Sequence, residues 1–470
     1  MARSHTAAPL ALAALLLLSS GAAQAAPAAP APDPLETERR LKKLEDAQAQ
    51  AERALKTERL SDSEPDLVTR LKAVEYQTLS IQKQARQIEA LEGITVGASL
   101  TSMVQRVGAA GNTDARAQSR ANYRGDIAVT LPGGDMGNAE GSLFTQLRFG
   151  QGEGIALRPT YSSTPNTTAF QVSGVSNADS SFAILAQAWY QLTVPLPLDG
   201  FKPHSKERVE INVGKIDPFV FFDQNAAADD ESTRFTNNVF VHNPLLDSGG
   251  DTGADAYGFA PGLRVAYRNE RDASQAWGLS LGVFGSGPAA NFSGSLGRPF
   301  VIAQAETSLR LWQGLAGTYR IYAWRNGRAT DADGSVRRHA GWGLSADQRV
   351  GDAARLFGRY GQRISGHGSF DRALTLGGEL AGNDWRRAAD SLGLAFAWLP
   401  TGGAWRAATA DGTLAGYAAS GAERWAELYY RYRLNNRVDL TPDLQWVQRP
   451  AGDPRAASFT VVGLRAKVGF

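Results

Sequence analysis

The chain has 470 residues, 43% of them hydrophobic, with 49 Lys and Arg against 47 Asp and Glu. That near-balance excludes a nucleic-acid binder, which needs a basic surplus to neutralise phosphates. The absence of Cys excludes a disulfide scaffold and thiolate metal sites, and five His leave little for a His-rich metal centre. Gly is abundant at 50, aromatics are plentiful and mean hydropathy is −0.28, which points to many β-strands in an exported protein.

Arg3 and His5 form a short basic start. The apolar run Ala7 to Leu18 is too short to cross a bilayer as a helix, and Ala23-Gln24-Ala25 supplies a small-x-small cleavage site. Residues 1–25 therefore read as a secretory signal peptide. A Pro/Ala linker follows to Pro34. Residues 35–60 are rich in helix formers, with Leu41, Leu44, Ala51 and Leu55 on one stripe. Pro65 interrupts it. A second stripe runs Leu67, Leu71, Val74, Thr78, Ile81, Ala85 and Ile88, in the alternating steps of a coiled-coil seam. Residues 26–93 are thus expected to form a linker and a helical, coiled-coil-like periplasmic segment. It either joins subunits or reaches a partner, or folds on itself as a hairpin.

From Ile94 the period changes to two. Ile127, Val129 and Leu131 alternate with Asp126 and Thr130; Ala426, Leu428 and Tyr430 alternate with Glu427 and Arg431. In a strand these sets point to opposite faces. A sandwich alternates too, so further features must choose. The apolar faces are almost free of charge over about 9–11 residues, the length a tilted strand needs to cross hydrocarbon. The chain ends on Leu464, Ala466, Val468 and Phe470, alternating to a terminal aromatic. About sixteen strands can be counted, and the connections alternate between short and long, as in bacterial barrels. They start near 94, 119, 141, 183, 208, 260, 276, 300, 315, 340, 355, 372, 390, 422, 437 and 459. The expected fold is all-β: a transmembrane antiparallel barrel of about 16 strands over residues 94–470, preceded by the helical segment.

A barrel of that size is too wide for side chains to fill, so a loop must set its bore. The longest connection runs from Asp217 to Tyr257, after the fifth strand. It combines Phe219, Phe221 and Phe222 with Asp223, Asn225, Asp229, Asp230, Glu231, Arg234, Asn237 and Asn238. A sugar offers many hydroxyls and apolar C–H faces, which paired donors and acceptors plus aromatic rings can hold. The bland alternative is a solvated loop with a few packing Phe residues.

The blocks Gly214-Lys215-Ile216-Asp217, Phe222-Asp223-Gln224-Asn225, Asp230-Glu231 and Phe235-Thr236-Asn237 resemble the carbohydrate-selective porin family, OprB type. So do residues 382–393, Glu427-Leu428-Tyr429-Tyr430-Arg431 and residues 440–445. The resemblance covers most of 94–470. It implies a sixteen-stranded outer-membrane porin passing monosaccharides, glucose being the usual family substrate.

Beyond position 93 only Lys202, Lys206, Lys215 and Lys467 occur, so Arg carries the positive charge. Arg124, Arg264 and Arg431 are expected to line the lumen with Glu379, Glu423 and Glu427, alongside the loop residues named above. Mixed signs across a lumen suit a neutral polar solute better than an anion, although Arg–Glu pairs also simply stiffen a wall. An anion- or phosphate-selective pore, a general diffusion pore, and an envelope tether acting through residues 35–92 are the alternatives. Expected partners are outer-membrane lipid, sugars as permeating solutes, a homotrimeric assembly, and peptidoglycan or a periplasmic protein at residues 35–92. No nucleophile motif accompanies His204, His242, His339 or His367, and three consecutive acids do not match a Ca²⁺-ligand spacing. No catalysis, metal or cofactor is expected.

Overall fold

The structure is a computed structural model describing residues 42–43, 45–49 and 93–470, apart from 163, 171–179, 199–204, 248–249, 253–256, 288–289, 291 and 313. Residues 42–43 and 45–49 are helical. The signal peptide and every residue of the two heptad stripes lie outside the described residues. The residues from Thr95 onward form a compact unit of their own.

Sixteen strands among the described residues make that unit. They are β1 (Thr95–Val107), β2 (Gln118–Met136), β3 (Ala139–Gln151), β4 (Phe182–Leu196), β5 (Glu207–Ile216), β6 (Ala260–Asn269), β7 (Trp277–Phe284) and β8 (Phe300–Leu311). The second half is β9 (Leu315–Thr330), β10 (Val336–Arg349), β11 (Ala354–Ser365), β12 (Arg372–Gly382), β13 (Arg387–Pro400), β14 (Ala422–Arg433), β15 (Val438–Gln448) and β16 (Phe459–Gly469). Each pairs antiparallel with its sequence neighbours, and β1 pairs with β16 to close the barrel. Phe470 N–H donates to the Ala98 carbonyl at 2.8 Å, so the seam is bonded to the last residue. No edge is left open, which a sheet in hydrocarbon requires.

The strand starts agree with the alternation to within a few residues. The larger departures are local. β10 begins four residues early, across a register shift between Arg337 and His339 that disturbs the period. β13 begins at Arg387, directly after Arg386 in the left-handed region at φ 63° and next to a shift between Ala381 and Gly382. Connections alternate as expected: 137–138, 270–276, 312–314, 350–353 and 434–437 are short, whereas 152–181, 217–259 and 401–421 are long.

The two faces differ in kind. Leu147, Leu185, Leu263, Leu279, Ile321, Leu356, Leu376, Phe396, Leu428 and Leu464 are all exposed on the outside. An apolar belt of this extent on a water-soluble surface would drive association; against lipid it is the stable arrangement. The inward face carries Arg124, Arg264, Arg359, Arg465, Glu423, Glu427 and Gln445, all buried. Here the polar set is shielded and the greasy set is bare, the reverse of a soluble sandwich.

Leu428 sits near the middle of β14, between Leu394 and Leu444 on the neighbouring strands. Leu428→Arg places a charge at mid-depth and is expected to cost about 2–4 kcal/mol. Denaturant unfolding of the vesicle-reconstituted barrel measures this. A change at the rim, such as Thr460→Arg, should cost much less.

Candidate functional site

The connection between β5 and β6, residues 217–259, is bonded to the inward faces of strands around most of the barrel. Its first turn, Pro218–Val220, is capped by Asp217, whose carboxylate accepts from Phe219 N–H at 2.9 Å. Asp223 follows with φ 55°, a left-handed conformation that Asp tolerates better than most residues. Its carboxylate accepts from Tyr322 Oη on β9 at 2.7 Å and from Asn243 N–H at 2.6 Å. Arg359 on β11 lies 3.2 Å from the same carboxylate and donates to the carbonyls of Asp223, Ala228 and Phe240. This one guanidinium ties three turns of the segment to the wall.

Close approach there depends on two glycines. A Cβ at Gly343 or Gly361 would stand 2.7 or 2.5 Å from Asn243 side-chain atoms, so β10 and β11 leave room for the segment only because those positions lack one. Phe222, Phe235, Phe240, Leu245 and Leu246 fill an apolar core with Phe284, Phe300, Tyr322, Phe357 and Tyr429 from the strands. A short helix, α1 (Asn238–Val241), starts at Asn237, whose side chain accepts from Val239 N–H.

On the opposite wall two carboxylates hold backbone donors. Glu427 accepts from Thr236 N–H at 2.5 Å and Asn237 N–H at 3.1 Å. Glu423 accepts from Tyr161 N–H, Ser162 N–H and Ala451 N–H, at 2.7, 3.1 and 2.6 Å. The β3–β4 connection is therefore also drawn to the inward face. It bonds the β5–β6 segment directly, Thr167 N–H to the Thr236 carbonyl and Asn238 N–H to the Thr164 carbonyl.

Between these two connections lies a cavity of about 820 Å³. Arg124 and Arg148 line it from β2 and β3. Thr164, Asn166 and Thr167 come from the β3–β4 connection. Asp217, Phe219, Gln224, Asp229, Glu231, Asn238, His242 and Asp247 come from the β5–β6 segment. Arg124 bridges Asp126 at 2.9 Å and Glu231 at 2.8 Å, and Arg148 reaches Asp126 at 2.7 Å. The Phe219 ring stacks on His242, with centroids 3.7 Å apart and planes 7° from parallel. His242 Nδ1 contacts Asp247 at 2.9 Å.

Burial alone would lower the His242 pKa, but the Asp247 hydrogen bond and nearby carboxylates outweigh it and raise it to about 9. Burial opposes the charge on Glu231, yet Arg124 holds its carboxyl below the usual range. Asp229 behaves differently. Burial dominates, the Arg359 charge offsets only part of it, and the pKa rises to about 7. Its Oδ1 lies 3.7 Å from Arg359 Nη2, and about a quarter of the side chain is open (26%).

Of the residues expected to line a pore, Arg124, Asp229, Glu231 and Asn238 meet at the cavity. Asp223, Asn225, Asn237, Arg264, Glu423 and Glu427 do not line open space. They are fully buried and bond connections or neighbouring strands instead. Asn225 Nδ2 bonds the Ala346 carbonyl at 3.0 Å, Asn237 bonds Gln445, and Arg264 bonds Glu210 and Asn212 beneath the Phe221 ring. Asp230 is fixed by Ser232 and Thr233, with Lys467 3.9 Å away. Arg234 lies 3.6 Å from Glu379, and Arg431 stands beside Ser391 on the paired strand; this group sits toward the short-turn end of β12 and β14. His242, dismissed for want of a nucleophile motif, is part of the cavity wall. The β3–β4 connection had no sequence signal beyond the polar run Thr164-Pro165-Asn166-Thr167-Thr168.

A sequence profile described as "Carbohydrate-selective porin, OprB family" matches residues 65–470. The chain belongs to this family. As an OprB-family porin it is an outer-membrane channel protein. Its fold is similar to Pseudomonas putida OprB in the structure solved at high pH, at 18% identity and a TM-score of 0.63, covering 82% of this chain and 96% of that one. The low-pH structure of that protein gives 16% identity and a TM-score of 0.46, covering 83% and 96%. The outer-membrane channel DcaP of Acinetobacter baumannii gives 12% and 0.48, covering 80% and 97%. Comparison with curated proteins yields no match.

Two outcomes follow from this geometry. Arg359→Ala leaves Asp223 buried without its cation, a loss of about 3–5 kcal/mol. It should also release the segment, so single-channel conductance rises while the unfolding midpoint falls. Separately, Asp229 gains its negative charge as pH rises through about 7 while His242 remains cationic to about 9. Cation preference, read as reversal potential in planar bilayers, should increase across that interval and become flat in Asp229→Asn.

Proposed function

We propose that the chain is a passive, carbohydrate-selective pore for monosaccharides such as glucose, and that the β5–β6 segment folds inward to narrow a water-filled barrel. The cavity between the two long connections carries this reading. Its volume falls in the range of small-molecule sites, about 300–1,000 Å³. Its lining combines amides, hydroxyls and carboxylates with the aromatic rings of Phe170, Phe219 and Tyr257. That combination matches a neutral ring with hydroxyl edges and apolar faces.

Electrostatics favours the same solute. Arg124 bridges both Asp126 and Glu231, and Arg148 also reaches Asp126, so these two cations of the cavity wall are paired within the protein. An anion pore needs its cations free to meet the solute. Membership of the carbohydrate-selective family supports the substrate class. The chain organisation proposed with this function is a signal peptide at 1–25, a periplasmic arm at 26–93 and the barrel at 94–470.

Liposome swelling with glucose, sucrose and an amino acid of similar size to glucose tests it. Glucose should enter several-fold faster than the amino acid, and Phe219→Ala should remove most of that preference while leaving small-ion conductance intact. Equal rates for solutes of one size would reduce the protein to a general diffusion pore. Strong anion preference saturating with phosphate would establish the anion channel instead.

A further inference from the structure

The outside of the barrel carries an arrangement that solute passage does not use. On three adjacent strands, β12, β13 and β14, the outward side chains Arg372, Trp398 and Arg424 stand side by side. Trp398 pairs with Leu374 on one neighbour and with Arg424 on the other. The Arg372 guanidinium carbon lies 5.9 Å from the Trp398 ring centroid. Arg424 Nη1 donates to Gln448 Oε1 at 3.0 Å, and among the described residues Arg424 has no ion pair. Besides that ring, Arg372 has one ion pair among the described residues, 3.4 Å to its chain neighbour Asp371, and the side chains of this pair are both more than two-fifths exposed.

All three residues lie at the rim that bears the long connections, the outer rim of such a barrel. Directly toward mid-depth the same faces continue as Leu376, Phe396 and Leu428, all exposed. Trp prefers the boundary between hydrocarbon and headgroups. Arg there presents a planar fork of donors suited to phosphate oxygens, and two of them flank the indole. A second copy docking this same strip two-fold against itself would set cation against cation. The outward residues from Arg372 to Leu376, Leu394 to Trp398 and Arg424 to Leu428 include no carboxylate.

We propose that this strip is a binding site for a phosphate-bearing lipid of the outer leaflet. The headgroup phosphate sits against Arg372 and Arg424, and the acyl chains run down the apolar faces below Trp398.

Native mass spectrometry of the full chain in non-ionic detergent tests this, with diphosphoryl lipid A and its dephosphorylated form as probes. Wild type should retain the phosphorylated lipid, and Arg372→Gln/Arg424→Gln should lose retention by roughly thirtyfold, given the typical contribution of each cation near an anionic lipid surface. Each single change should lose about the square root of that factor, so the test survives if the double variant folds poorly. Conductance and the heat-dependent gel shift of the variants should stay as in wild type. Inorganic phosphate should not compete, because it lacks the acyl chains. Equal retention of the dephosphorylated lipid, or an equal loss in the control Arg437→Gln at the opposite rim, would overturn the proposal. So would retention unchanged in the double variant.

Discussion

Backbone polar groups in hydrocarbon must find partners within the protein, and nearly everything else follows from that requirement. The pairing of β1 with β16 meets it, because a sheet that closes has no edge. Closure then fixes which face meets lipid. Once the Leu-rich face points outward, every Arg, Glu and Gln on the alternate positions must point in. The polar interior is therefore not an added feature. It is what the same strands present when their apolar side is turned to the membrane.

A wide polar interior creates the next problem, which is how to hold loops inside it. The solution lies in buried charges bonded to backbone. Arg359 donates to three carbonyls of the β5–β6 segment, and Glu427 and Glu423 accept from backbone N–H groups of two different connections. Such charges are costly to bury unless each is fully bonded. Their partners are main-chain atoms, so the path of each connection is fixed more than its side chains are. Other polar side chains of the segment, Asp217, Gln224, Asp229, Glu231, Asn238, His242 and Asp247, face the cavity. Anchoring and lining are thus carried by neighbouring residues of one segment, and Asn238 and Glu231 do both, bonding Thr164 and Arg124.

The outer surface repeats this economy in another solvent. The apolar belt satisfies the lipid tails, while Arg and Trp at its margin meet the region where headgroups begin. Interior and exterior differ in what neutralises the cations. Inside, Arg124, Arg148 and Arg359 each face a carboxylate of the protein. At the outer margin Arg424 meets, among the described residues, only an amide.

The period-two alternation and the parity of connection lengths were enough to read the barrel and its up-and-down strand order. These are local properties, repeated along each strand, and lipid enforces them position by position. The sequence also marked 217–257 as the important connection by its length and its aromatic and carboxylate content. It did not separate Asp223, Asn225, Asn237, Glu423 and Glu427, which fasten, from Asp229, Glu231 and Asn238, which line the cavity. All are polar residues of similar type, and the distinction arises only when strands far apart in the chain bring Arg359, Tyr322 and Gln445 to meet them. Nor did it disclose the inward course of the β3–β4 connection or the stack of Phe219 on His242. Those contacts join residues from separate strands and turns, so no local pattern records them. Sequence determined the wall, because each strand meets the same lipid; tertiary structure decided the site, because it is made from residues that only closure brings within reach.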